Sequence, residues 1–179
     1  MVVIALAGCG DDSAGGTNDE SPAFSSTGSF ATPGWMNIDR GDRLVTIDVT
    51  AGLTATNKLW NFNGFAAGEA TFVVPEGFTV TINFSSLDPA NSHSVAVLPA
   101  SDSYPATFND PKPVFRGAIS NAATSVTDAQ GADDEPQMFT FRASRAGRYA
   151  LVCLVPAHAY TGMWVGFEVS ASGESGVRT

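Results

Sequence analysis

Residues 153–164 read CLVPAHAYTGMW, and within them Cys153, His158 and Met163 follow one another at intervals of five. The whole chain holds two cysteines and two histidines. A thiolate, an imidazole and a thioether brought together form a soft donor set, which favours copper over calcium or magnesium. Two imidazoles and a thiolate in a trigonal arrangement, with a weak axial thioether, make a blue-copper site. A second histidine is then required from elsewhere in the chain. His93, in NSHSVAVLP, is the one that remains.

Each of these residues has an ordinary explanation when taken singly. A lone buried cysteine is usually a small core hydrophobe. A lone histidine is usually a satisfied surface or core residue, and a methionine beside Trp164 usually packs. Cys153 and Cys9 could also be joined in a disulfide, because the compartment expected below is oxidising. The joint spacing favours the metal reading, and a free thiol outside the cytoplasm is a liability unless something holds it.

Such a loop needs a rigid frame. From Arg43 onward short runs alternate apolar and polar residues: LVTIDVT (44–50), KLWNFNG (58–64), EATFVVPEGFTVTINFSS (69–86), HSVAVLP (93–99), QMFTFRA (137–143), GRYALVC (147–153) and MWVGFEVSA (163–171), with PVFRGAI (113–119) weaker. Turn signals separate them, Pro-Glu-Gly in the long run and Ser-Arg-Ala-Gly near 144–147. No helical period is long enough for a core helix. The pattern predicts an all-β fold, an antiparallel Greek-key β-sandwich of about eight strands. Cys153 would end one strand and Met163 begin the next, placing the tight VPAHAYTG loop at one end of the sandwich. Residues 100–112 and 118–136 are polar and read as long surface loops.

The remaining stretches bound the domain. Residues 1–8 end in Leu-Ala-Gly before Cys9, which resembles a bacterial lipobox at the close of a signal-peptide remnant, although a basic start is missing. Residues 9–42 are rich in Gly, Ser and Asp and read as a flexible tether. The folded domain is expected over 43–171, with 172–179 a disordered tail. No apolar run is long enough for a transmembrane helix. With 9 basic and 18 acidic residues and a formal charge of −9, a nucleic-acid partner is disfavoured.

The stretch CLVPAHAYTGM, preceded by FTFRASRAGRYALV, resembles the copper loop of cupredoxins. Its Cys-x4-His-x4-Met spacing is similar to the rusticyanin and sulfocyanin branch, and LWNFNGFAAGEATFVVPEGFTVTINFSS followed by SHS resembles sulfocyanin in particular. The resemblance covers about residues 43–171. It implies one copper held by His93, Cys153 and His158 as equatorial ligands and Met163 as axial ligand. It further implies that the Ser94 backbone N–H, with or without its hydroxyl, lies near Cys153 Sγ. Ala157 stands where the family commonly has glycine, so a negative φ or some strain is expected there.

The function implied is single-electron transfer between extracytoplasmic partners such as a cytochrome and a terminal oxidase, by a monomer that is not an enzyme. Docking would be weak, around a His158 ring edge emerging through a patch of Leu154, Val155, Pro156, Ala157, Ala159 and Tyr160. Trp60, Phe62, Phe72 and Trp164 read as core packing. Membrane attachment would come only through a lipid on Cys9. A nitrite reductase or multicopper oxidase needs further histidines, which this chain lacks. A copper carrier or storage protein, and a copper-free β-sandwich interaction module, stay open as other classes.

Overall fold

The computed structural model describes residues 30–179; the signal remnant, Cys9 and residues 10–29 of the tether lie outside the described residues. The described residues form ten strands and one short 3-10 turn. The strands are β1 (Phe30–Ala31), β2 (Met36–Asp39), β3 (Leu44–Ala51), β4 (Thr71–Pro75), β5 (Thr79–Ser86), β6 (Ala96–Pro99), β7 (Gln137–Arg142), β8 (Gly147–Val152), β9 (Trp164–Ser170) and β10 (Gly176–Arg178). They make a six-stranded sheet in the order β1-β10-β4-β9-β8-β6 and a four-stranded sheet in the order β2-β3-β5-β7. This is the expected all-β sandwich.

The strand directions differ from the antiparallel expectation. β3 pairs with β5 in parallel, and so does β4 with β9. The cause lies in the turns. The Pro-Glu-Gly turn joins β4 of one sheet to β5 of the other, so it arches across the sandwich instead of closing a hairpin. A chain that crosses from β3 to β4 and back to β5 returns beside β3 running the same way. Ser-Arg-Ala-Gly is likewise an arch, from β7 to β8.

The folded part also extends past 43–171 on both sides. β2 pairs with β3, burying Met36 in the core, and β10 pairs with β4, burying Val177. Both strands are short and lie in Gly- and Ser-rich sequence, which hides them from a composition argument. Residues 58–64 form no strand; they pass through a turn described below. Residues 113–119 form no strand; they make an isolated bridge, Ile119 to Ala96, and place Phe115 and Ala118 in the core.

Period-2 alternation on β6, β8 and β9 feeds two cores. Val95, Val97, Tyr149, Leu151, Cys153, Val165 and Phe167 point between the sheets. Ala96, Leu98, Ala150, Val152, Leu154 and Trp164 point outward, where Tyr104, Phe108, Ile119 and Ala123 cover them. The stretches expected as surface loops therefore close a second core. They carry apolar residues too sparsely to register as elements, yet those residues seal one face of the larger sheet.

Candidate metal centre

β8 and β9 are antiparallel neighbours, and the stretch that joins them is CLVPAHAYTGM. Cys153 N–H donates to Met163 O at 3.1 Å, which carries the ladder one step past the strand ends. Within the loop His158 N–H donates to Val155 O, and Met163 N–H donates to His158 O at 2.9 Å. These bonds hold the three side-chain origins on one rim. His93 enters from the stretch before β6. Its N–H donates to Gln130 O, and Gln130 N–H donates back to His93 O, both at 2.8 Å. Gln130 itself is buried, its Nε2 donating to the carbonyls of Gly131, Asp134 and Glu135.

The structure brings three of the four expected ligands together. His93 Nδ1 lies 3.1 Å from His158 Nδ1, and Cys153 Sγ lies 3.5 Å from His158 Nδ1. The three donor atoms all lie within 4.8 Å of one another, and all three residues are buried. Met163 is fully buried in the inter-sheet core beside Cys153 in sequence register, with its backbone closing the loop as above.

Ser94 stands where the family resemblance implied. Its N–H points at Cys153 Sγ at 3.4 Å, and its hydroxyl lies 3.8 Å away. The same hydroxyl accepts from Leu154 N–H at 2.9 Å, so Ser94 ties the His93 segment to the cysteine loop.

Sequence reasoning missed Asp88. Its Oδ2 accepts from His93 Nε2 at 2.9 Å, with both side chains fully buried. The other hydrogen bonds to this carboxylate come from donors: Ala90 N–H, Asn91 N–H and Asn91 Nδ2. An acceptor-only carboxylate requires the hydrogen of His93 to sit on Nε2. That frees the Nδ1 lone pair to face the site, the arrangement in which an outer carboxylate orients a metal-binding histidine. An acid five residues before a candidate ligand was the only available signal.

Burial governs the protonation states. It pushes the Cys153 thiol up to about 11, against the opposing N–H groups of Ser94 and Val155 and the Ser94 hydroxyl. It pushes His158 down to about 4, helped by His93 and opposed by Asp88. It lowers His93 as well, against the pull of Asp88. Burial also pushes Asp88 up, but the hydrogen bonds from Ala90, Asn91 and His93 outweigh it and hold the carboxyl below its ordinary value. At neutral pH the metal-free centre thus holds a thiol, two neutral imidazoles and a carboxylate. Only the thiol must shed a proton for all three donors to bind a metal.

The donor set fits copper. Metal–nitrogen bonds of about 2 Å at an angle of about 100° put the two nitrogens roughly 3.1 Å apart, as the two Nδ1 atoms are. Two imidazoles and a thiolate, away from water and without a carboxylate aimed inward, suit copper and exclude the hard cations.

Two expectations about the loop are settled by the backbone and by burial. Ala157 adopts φ +71°, so the position does take the left-handed conformation that glycine favours. It is held there because its N–H donates to Ala106 O at 2.7 Å and its carbonyl accepts from Thr161 N–H and Oγ1. An alanine in this region costs roughly 1–2 kcal/mol. Glycine loses roughly 0.5–1 kcal/mol of that gain to its freer unfolded chain. Ala157→Gly is therefore expected to raise the melting temperature by about 2 °C and to leave the ligand geometry alone, read by calorimetry and absorption.

The second expectation is corrected. The His158 ring does not emerge through an apolar patch. His158 is 4% exposed, and Leu154, Val155 and Ala159 are buried with it, while Pro156 is half-buried and Ala157 and Tyr160 are exposed. Trp60, half-buried, stacks on the imidazole, with ring centroids 3.9 Å apart and planes at 24°. Phe62, Phe72 and Trp164 are core residues as expected, and Trp60 packs against the core as expected while also stacking on the site.

No curated protein matches the chain. Solved structures similar to it include reduced rusticyanin, at 20% identity over 76% of this chain and 86% of that one, TM-score 0.49. Rusticyanin from Thiobacillus ferrooxidans is 22% identical over 76% of this chain and 88% of its own, TM-score 0.48. Auracyanin A, a "blue" copper protein from Chloroflexus aurantiacus, is 21% identical over 71% and 99%, TM-score 0.48. The family model described as Sulfocyanin (SoxE) domain matches residues 33–175, a span that holds His93, Cys153, His158 and Met163 together, and the chain belongs to the sulfocyanin family of cupredoxins.

Proposed function

We propose that the protein is a mononuclear type 1 copper protein that passes single electrons between extracytoplasmic redox partners. The observation that carries this reading is the convergence of His93 Nδ1, Cys153 Sγ and His158 Nδ1 in a buried pocket at one end of a rigid sandwich. Met163 is the axial ligand in this reading. Bound copper would supply a one-electron couple. The protein's part is to keep the donors still: Asp88 fixes the tautomer of His93, Gln130 clamps its backbone, and Ser94 locks the cysteine loop to it. Donors that need not move between oxidation states keep reorganisation small. The Ser94 N–H on Sγ also draws charge from the sulfur and so tunes the potential.

Burial of all three donors argues against a copper carrier, which must release its metal to a partner. No second set of histidine and cysteine ligands occurs among the described residues, which suits an electron carrier better than a multicopper enzyme. The partners proposed are a cytochrome and a terminal oxidase, met by a monomer outside the cytoplasm. Cys9 would carry the lipid.

The test is direct. Cu(II) added to the reduced, metal-free protein should give an intense thiolate-to-copper band at about 600 nm and a higher melting temperature. Cys153→Ser should abolish the band. Folded, copper-treated protein with neither band nor stabilisation would overturn the reading.

A further inference from the structure

The imidazole of His158 meets solvent hardly at all, and the half-buried indole of Trp60 stacks on it. The chain goes to some length to put it there. Asn57, Lys58 and Leu59 are three consecutive residues with φ of 48°, 58° and 71°, none of them glycine. Backbone of this kind persists only where its surroundings over-determine it, and it concentrates at functional sites.

Here the surroundings are explicit. Asn61 Nδ2 donates to Thr54 O and Thr56 O, both at 2.8 Å. Asn57 Nδ2 donates to Trp60 O at 2.9 Å, and Trp60 N–H donates back to Asn57 O at 3.0 Å. The segment that follows the turn is fastened to the ligand loop, since Ala67 N–H donates to Gly162 O at 2.7 Å.

Charge points to the same face. The chain carries a formal −9, yet residues 153–163 contain no charged residue and residues 51–68 contain only Lys58. A partner can approach an aromatic cover there without desolvating ion pairs.

We propose that Trp60 is the positioning residue through which electrons enter and leave the centre, in place of an exposed histidine edge. The proposal rests on the electron-transfer reading above. The stacked indole is half-buried where the ligand rings are buried, so it extends the π system from His158 toward a docked partner. It keeps its own electrons throughout. In self-exchange between two copies, the reduced copy loses one electron and the oxidised copy gains it, with no bond made or broken and no proton moved.

The experiment compares wild type, Trp60→Leu and Trp60→Phe. Three quantities are read: the thiolate-to-copper band, the melting temperature of the copper-free protein, and the self-exchange rate from NMR line broadening in mixtures of reduced and oxidised protein. A wild type without the band fails the electron-transfer reading itself, separately from this inference. With the band present, Trp60→Leu should keep the band and the fold while self-exchange falls at least tenfold. Trp60→Phe, which can still stack, should return to within about threefold of wild type. Self-exchange within twofold of wild type in the leucine variant overturns the proposal. So does a phenylalanine variant no faster than leucine, because any apolar cover would then serve. A leucine variant that unfolds or loses the band makes Trp60 a structural prop and overturns it too.

Discussion

Asp88→Asn should raise the reduction potential of the copper-loaded protein by on the order of 100 mV and lower its melting temperature by about 6–12 °C. The two effects have separate causes. The oxidised centre carries one more positive charge than the reduced one, and a carboxylate hydrogen-bonded to His93 Nε2 at 2.9 Å favours it. A unit charge held on the far side of the imidazole, roughly 7 Å from the carboxylate, would at an effective dielectric of about 20 be worth about 2 kcal/mol, which for one electron is on the order of 100 mV. Removing it makes reduction easier. The loss of stability comes from hydrogen bonding. Both Asp88 oxygens accept from donors: Oδ1 from Ala90 and Asn91 N–H, Oδ2 from Asn91 Nδ2 and His93 Nε2. An asparagine must turn its amide NH₂ toward one of these pairs, so donors face donors whichever way it lies. Breaking one side of a buried, charge-assisted set costs about 3 kcal/mol or more, and each kcal/mol shifts the transition by about 2–4 °C in a chain of this size. Cyclic voltammetry and calorimetry on the same sample read both. An unchanged potential with a lowered melting temperature would reduce Asp88 to a packing role.

The ligand loop was legible because it is local. Cys153, His158 and Met163 sit on a single connection between paired strands, so their spacing in sequence is their spacing on the rim. His93 was reachable only by elimination. Gln130 was not reachable, since its role depends on a backbone bridge from residue 93 to residue 130 that no local pattern encodes, and Asp88 signalled itself only as an acid five residues before a candidate ligand. KLWNFNG was misread for a definite reason. Its apolar spacing suits a strand, but Asn61 and Asn63 spend their amides on backbone groups: Asn61 on Thr54 O and Thr56 O, Asn63 on Thr50 N–H and Asp48 O. Asparagine side chains compete with ladder hydrogen bonds in this way, and the outcome is the left-handed turn that carries Trp60. The fold class followed from alternation alone. Strand direction did not, because a Pro-Glu-Gly turn looks the same whether it closes a hairpin or arches between sheets.

The pH dependence of stability should separate the metal-free and copper-loaded proteins, and its sign follows from the buried ligands. In the metal-free protein His158 is held at about 4 against 6.5 in the unfolded chain. A depressed value means stability that is fully present above pH 6.5 and lost as the pH falls toward 4, by about 3 kcal/mol. His93, also lowered, adds loss in the same direction. Cys153 is raised to about 11 from 9.0. Its contribution is fully present below pH 9 and lost as the pH rises toward 11, by between about 2 and 3 kcal/mol. The metal-free protein should therefore show a plateau between pH 6.5 and 9 with a fall on either side. The copper-loaded protein should behave differently inside that plateau. Its folded state holds Cys153 as thiolate, while the unfolded chain keeps the thiol proton up to about pH 9. At fixed free copper, its stability should climb through the plateau by about 1.4 kcal/mol per pH unit, the slope of one proton. Denaturant unfolding of both forms at pH 4.5, 6.5, 7.5, 8.5 and 10.5 reads all of this. Metal-free stability that stays flat down to pH 4.5 would mean that water reaches His158. A plateau in the loaded protein would mean that the thiol of Cys153 is not a ligand.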